Sequence, residues 1–464
     1  MVDHLPNLGR EAEMLREIGL SSIEDLFSDI PNSIKRTGPL ILPPPQTEEE
    51  IWADAQHLLG ANIAMNSRPN FLGAGLYQNF VPTMVPMIAT RGEFLTAYTP
   101  YQPEVSQGML QAMWEFQTMI SELVSLPVSN VSMYDASTSA AEAITCAVRV
   151  HNRKATQKNV VYVVEWIPEH RLSVIQNYVV GSDIEIRVLK TNDDGKINLE
   201  MAEVANGSCA VYVEQPNPFG EIDTNIPNLK NIIGDGTALI VGVNATSLGI
   251  LTPPGEYGAD IVVGEGQPFG IGATGGGPIY GLFACREKYL RQMPGRIVGQ
   301  TFDSAGKKAF TLTLSTREQH IRRHKATSNI CSNETLIALM GAMHMALLGP
   351  SGVQQLAIRN AAACEMTKRA VLAISGIELL HNLTSDPLHS PQHYNEFTVV
   401  LPGSAMAALS FLDERGITGG LALSNIIEGA DDSWLLISAT DQTTLHDIEQ
   451  LSNGLSDWVL EESS

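Results

Sequence analysis

The chain has 464 residues, enough for two or three domains around a large buried core. Hydrophobic residues at 44% and charged residues at 17% exclude a disordered chain. Twenty-nine Lys and Arg against 51 Asp and Glu leave a formal charge of −22, which argues against nucleic acid and anionic membrane surfaces as partners.

The opening Met-Val-Asp-His-Leu-Pro-Asn has no basic stretch followed by an apolar core, so no secretory signal is read there. No apolar run is read as approaching the ~20 residues that span a bilayer. Cys146, Cys209, Cys285, Cys331 and Cys364 are odd in number, far apart and mostly among small apolar neighbours. They are expected to be buried thiols of a reducing compartment, with no disulfide frame and no metal cluster, and the chain is expected to be cytoplasmic.

Residues 1–66 are expected to form an N-terminal helical arm. Glu11 to Ile18 and Glu48 to Met65 carry apolar residues at helical spacing, and Pro39-Leu-Ile-Leu-Pro-Pro-Pro-Gln46 separates them. A further helix is predicted over Glu104 to Leu126, where Met109, Met113, Phe116, Ile120 and Leu123 form one stripe that reads best as core.

From residue 137 helices alternate with short β-branched runs: Val160–Val164, Ile184–Leu189, Cys209–Val213, Ala238–Gly242, Ile261–Val263 and Pro278–Phe283. Continuous apolar strands joined by helical crossovers describe a mainly parallel sheet covered on both faces, so residues 67–330 are expected to be a large α/β domain. Residues 331–464 are expected to hold linking helices, around Ser332 to Leu348 and Val353 to Ala373, and a small α+β domain. Its predicted elements are a strand at Glu396–Val400, a helix at Ala405–Leu412, a strand at Ser433–Ser438 and a helix at Thr443–Leu460.

Three segments could carry chemistry. Ser137, Thr138 and Ser139 stand directly before an Ala-rich helix, where free N–H groups suit a phosphate and where ordinary capping is equally at home. The stretch from Asp260 to Pro278 follows a strand, is rich in Gly and contains no lysine. The loop from Tyr98 to Gly108 gathers aromatic hydroxyls and amides between two prolines, as a site-lining loop or a structural turn would. Nucleophile-elbow, phosphate-loop, Cys-x-x-Cys and His-Glu-x-x-His motifs are all missing. His320 and His324 lie four apart among Arg317, Arg322, Arg323 and Lys325, which fits a basic surface or interface helix better than a metal site.

Several segments taken together resemble a known family. They are His4-Leu-Pro-Asn, Ile18 to Phe27, Phe71-Leu-Gly-Ala-Gly-Leu-Tyr77, Thr96 to Gly108, Ser132-Met-Tyr-Asp135 and Lys325 to Asn333, and they run in order through most of the first 350 residues. They resemble the α-subunit, or N-terminal-half, type of the glycine cleavage system P-protein family, glycine dehydrogenase (decarboxylating). The last ~100 residues match less distinctly. The resemblance implies the pyridoxal-phosphate fold-type-I (aspartate aminotransferase-like) architecture, in which a lysine forms the Schiff base, an aspartate pairs with the pyridine nitrogen and a helix N-terminus binds phosphate.

Laid on the family's His-Lys-Thr-Phe…Gly-Gly-Gly-Gly-Pro pattern, Gln267 falls at the lysine and Val241 at the aspartate. Ser137, Thr138 and Ser139 would then be a vestigial phosphate seat. The resemblance therefore implies that this chain alone has no catalytic residue and binds no cofactor. A β subunit would hold pyridoxal phosphate, in an assembly of two α and two β. The pair would decarboxylate glycine and pass the aminomethyl group to the lipoyl arm of H protein, in a system with T and L proteins. Tyr98, Thr99, Tyr101, Gln107 and Asn329 are the residues expected to reach toward the partner's cofactor. Tyr77-Gln-Asn79 departs from the family, which has a His near Asn79. Two other functions remain open: a pyridoxal-phosphate enzyme in its own right, for which Lys288 and Lys307 are poorly placed, and a non-catalytic regulator or scaffold on a degenerate fold.

Overall fold

The computed structural model describes residues 7–36, 38–152, 159–382 and 392–462. The chain divides into two units, Met1–Ile63 and Ala64–Ser464. In the first, helices at Glu11–Glu17 and Glu48–Leu59 flank a 3-10 turn at Ile23–Phe27. The second helix starts on a reciprocal cap, in which Thr47 N–H donates to Glu50 Oε2 at 2.7 Å and Glu50 N–H to Thr47 Oγ1 at 3.3 Å. Gly60 caps its C-terminus, short of the expected end at Met65. No described residue of this unit is buried, and Ile41 and Trp52 are 95% and 67% exposed.

The second unit is built on a seven-stranded sheet. Its strands are β1 (Val128–Ser129), β2 (Asn159–Val164), β3 (Ile184–Leu189), β4 (Ala210–Gln215), β5 (Ala238–Asn244), β6 (Ile261–Glu265) and β7 (Gly281–Cys285). They lie in the order β1-β7-β6-β5-β4-β2-β3, parallel from β3 through β6, with β7 and β1 antiparallel at one edge. β4, β5 and β6 are apolar until they reach Glu214, Asn244 and Glu265 at their C-terminal ends. In an open parallel sheet that end is where ligands bind, so the polar residues collect where chemistry is expected.

The helix Gln107–Val124 buries Met109, Met113, Phe116 and Ile120, and Leu123 stays half-buried. It begins three residues later than predicted because Pro103–Val105 forms a separate 3-10 turn. The hairpin of β8 (Ile297–Phe302) and β9 (Lys308–Thr313), unread in the sequence, packs against this helix.

Thr335–Leu372 is a 38-residue helical span broken at Gly349, whose φ of 61° lies just before Pro350, so the two predicted helices are its two halves. By length and composition it could cross a membrane, which corrects the expectation that no such run exists. Gly341, His344, Gly349 and Ser351 disguise the absence of charge from residue 335 to 352. Ala338, Leu339 and Met345 pack into the core of the large sheet, and Cys364 and Val371 into the smaller core, as in the core helix of a globular protein.

That smaller core belongs to an antiparallel sheet of β10 (Glu378–Leu379), β11 (Glu396–Val400), β12 (Leu421–Ala422) and β13 (Trp434–Ser438), ordered β10-β11-β13-β12. Helices Ala405–Glu414 and Leu445–Glu462 cover it. Phe71 is fully buried in this core, and its backbone bonds Thr418 and Ser438. The segment Phe71–Tyr77 therefore ties the small sheet to the large one.

Candidate functional site

A cavity of about 80 Å³ lies at the C-terminal ends of β4, β5 and β6, beside the first residue of the helix Ala136–His151. Arg171, Tyr212, Glu214, Glu265, Glu396 and Tyr77 supply its polar lining. This is the position of the cofactor cleft in the fold that the sequence implied.

The Phe71–Tyr77 segment closes one wall. A Cβ on Gly73 would lie 2.1 Å from Glu396 Oε1, so only glycine allows that approach. Glu396 Oε1 accepts the Ala74 N–H at 2.5 Å and Oε2 accepts the Tyr77 hydroxyl at 2.7 Å. Burial pushes the Glu396 carboxyl above its usual pKa, against the lowering effect of these two bonds.

Gln267 has the role of a clamp. The residue is 1% exposed. Its Oε1 accepts Tyr77 N–H at 2.9 Å, while Nε2 donates to Tyr77 O at 3.0 Å and to Ile271 O at 2.7 Å. The amide pairs with one backbone residue through both its ends, as a lysine could not.

The helix N-terminus is occupied by the chain's own carboxylates. Thr138 N–H donates to Asp135 Oδ1 at 2.6 Å, Asp135 N–H donates to Thr138 Oγ1 at 3.1 Å, and Ser139 Oγ donates to Asp135 O at 2.7 Å. Ala136 N–H donates to Glu265 Oε2 at 3.1 Å. Glu265 Oε1 also accepts from Gln267 N–H at 3.2 Å and Tyr280 N–H at 3.3 Å. Ser137 is buried beside them. Opposite, Arg171 Nη1 is paired closely with Glu214 Oε1, which also accepts the Tyr212 hydroxyl at 2.8 Å. Gly242, Val243 and Asn244 of β5 line the cavity, whereas Val241 is buried in the apolar core and does not.

These residues do not fit pyridoxal phosphate. No amine stands among the described residues that line the cleft, and Asp135 and Glu265 already accept the helix N–H groups that the fold would offer to a phosphate. The nearest cation, Arg171, is already paired. The cavity is also far below the roughly 300–1,000 Å³ of ordinary ligand sites.

Burial pushes the Glu265 carboxyl up to about 7, against its backbone hydrogen bonds. A carboxyl raised in the folded state binds its proton there while the unfolded chain has lost it. Stability contributed by the protonated group is therefore full near pH 4.5 and falls as pH rises toward 7. Glu265→Gln is expected to flatten the melting temperature across that window, removing a pH-dependent term of up to about 3 kcal/mol. Parallel thermal melts at several pH values check it.

None of the residues predicted to reach a partner lines this cavity. Tyr98 and Tyr101 are 78% and 55% exposed. The Tyr101 ring stands edge-on to His320 at 5.8 Å, with the Arg296 guanidinium 5.8 Å from its centroid. Thr99 Oγ1 is buried with no hydrogen-bond partner among the described residues. Asn329 is exposed, between residues 328 and 330 that line a small hollow with Arg296 and Asn333. Gln107 does not point outward. Its Nε2 donates to Pro103 O at 2.7 Å and Phe310 O at 2.9 Å, and its Oε1 accepts Phe310 N–H at 2.9 Å. It holds the loop to the β8–β9 hairpin. Gln107→Ala is accordingly expected to cost about 1–3 kcal/mol of stability, read by denaturant unfolding.

Sequence reasoning missed Arg171, Glu214, Glu265 and Glu396. Charged residues at the C-terminal ends of otherwise apolar strands were the signal for Glu214 and Glu265. Cys331 is the exposed cysteine, and the other four are buried and free. Among the described residues no metal-binding group of His, Cys, Asp or Glu is found.

Residues 3–455 match the family model described as glycine cleavage system P-protein. The probable glycine dehydrogenase (decarboxylating) subunit 1 of Thermococcus onnurineus is 42% identical over 461 residues, covering 97% of this chain and 98% of the relative. The protein of the same description from Maricaulis maris is 40% identical over 462 residues, covering 98% and 99%. A crystal structure of glycine decarboxylase (P-protein) of the glycine cleavage system, in inhibitor-bound form, superposes with a TM-score of 0.83 at 36% identity, covering 98% of this chain and 100% of the other. A cysteine desulfurase of Thermococcus onnurineus, at TM-score 0.61 and 15% identity, shares the fold alone. The fold is thus that of the fold-type-I pyridoxal-phosphate enzymes, and the chain belongs to the glycine cleavage system P-protein family.

Proposed function

We propose that this chain is the lysine-less subunit of a two-subunit glycine decarboxylase, and that a second, lysine-bearing subunit holds pyridoxal phosphate. The observation that carries the reading is Gln267, whose amide is spent on the backbone of Tyr77 and Ile271 where the cofactor lysine belongs. Relatives described as subunit 1 support a heteromeric partner. The assembly is read as two copies of each subunit in the cytoplasm, passing the aminomethyl group to the lipoyl arm of H protein, with T and L proteins completing the system.

Pyridoxal phosphate held by the partner would supply the electron sink for loss of CO2 from glycine. This chain's part is to complete the walls. Tyr98, Thr99, Tyr101 and Asn329 face a partner across the joint, orient glycine and exclude water. The exposure of the Tyr98 and Tyr101 rings supports that placement. Gln107 acts on the loop, through Phe310.

Tyr101→Ala is expected to leave the melting temperature of this chain within a degree or two while lowering kcat/KM of the paired enzyme at least tenfold. The reading itself is tested by purifying each subunit separately and dialysing it against pyridoxal phosphate. Visible absorbance is expected to stay with the partner. Absorbance retained by this chain would overturn the assignment.

A further inference from the structure

Arg296 stands immediately before β8 and is 4% exposed. Both of its terminal nitrogens are spent on neutral oxygens of one segment: Nη1 donates to Asn333 Oδ1 at 2.7 Å and Nη2 to Cys331 O at 2.8 Å. The same guanidinium lies 5.8 Å from the centroid of the Tyr101 ring, within cation–π range, and the His320 ring meets Tyr101 edge-on. Arg296 is itself held in place. Val131 N–H donates to its carbonyl at 3.0 Å. Its acceptor Asn333 also takes a hydrogen bond from Thr335 Oγ1 at 3.0 Å and donates from Nδ2 to the buried Ser132 Oγ at 2.9 Å.

The two segments joined in this way need such an anchor. Residues 97–102 and 326–334 form no helix or strand, so no ladder of backbone hydrogen bonds sets their course. The spacing between them depends on a side chain that reaches both. Tyr98, Thr99 and Tyr101 belong to the first segment, and Asn329 to the second, two residues before Cys331. A planar guanidinium holds two acceptors in a fixed fork, which a lysine ammonium cannot do. Walls that orient a small substrate tolerate little looseness. We infer that Arg296 is a positioning residue for the paired enzyme, a buried guanidinium that sets Tyr101 and Asn329 at a fixed spacing without touching glycine itself. The inference rests on the reading of these two segments as the wall that meets the partner.

Bicarbonate exchange by the paired enzyme tests it in two backgrounds. In the parent chain, Arg296→Met is expected to lower activity about tenfold or more and Arg296→Lys about fivefold or more. In a chain that already carries Tyr101→Ala and Asn329→Ala, nothing is left to position, and the same changes are expected to lower the residual activity less than about twofold. Loss through general destabilisation would cost the same factor in both backgrounds. Arg296→Lys keeps the charge and the stem, so it carries the comparison where Arg296→Met does not fold. Parental activity in Arg296→Lys, or an equal loss in both backgrounds, would overturn the inference and leave the wall reading standing. A Tyr101→Ala, Asn329→Ala enzyme as active as the parent would overturn the wall reading and the inference with it.

Discussion

A Gln267→Lys variant will bind no pyridoxal phosphate and will melt well below the parent chain. The substitution removes the amide that makes three hydrogen bonds to Tyr77 and Ile271 and leaves the Tyr77 N–H without its acceptor, which an ammonium cannot replace. It also puts an ammonium in a position with 1% exposure, where desolvation opposes its charge. Together these cost on the order of 3 kcal/mol or more. Cofactor would still meet Asp135 and Glu265 at the helix N-terminus. Thermal melting and visible absorbance after incubation with pyridoxal phosphate check both halves. A stable Schiff-base spectrum would show that the lysine alone was missing.

Arg171→Ala is expected to be the most destabilising change in the cleft. Glu214 would be left buried with only the Tyr212 hydroxyl, and breaking a buried pair from one side costs about 3–5 kcal/mol. Adding Glu214→Leu to Arg171→Met removes both charges, and this double variant is expected to recover most of the loss. Urea denaturation of the three proteins separates the cases. Equal instability of the single and double variants would mean that the stranded Glu214 charge does not set the cost.

The parallel strands were legible because continuous apolar runs such as 160–164 and 238–242 have no competing period. The β8–β9 hairpin was not, because Gly299, Gln300 and Thr301 break the alternation. Residue 267 was legible by resemblance to the family, but nothing in the sequence says that its amide would close on Tyr77, 190 positions away. The Arg171–Glu214 pair was equally hidden, since it joins a surface-patterned helix to a buried strand. Gln107 shows the converse: a polar residue in a site-like loop whose hydrogen bonds all turn inward.

The central claim is that the chain works only in a pair, and the direct test is exchange of labelled bicarbonate into glycine with lipoylated H protein. This chain, its lysine-bearing partner and their mixture are assayed separately. The account predicts exchange in the mixture and none, or a trace, in either alone. Exchange by this chain without a partner would contradict it and send the search for the amine elsewhere in the molecule.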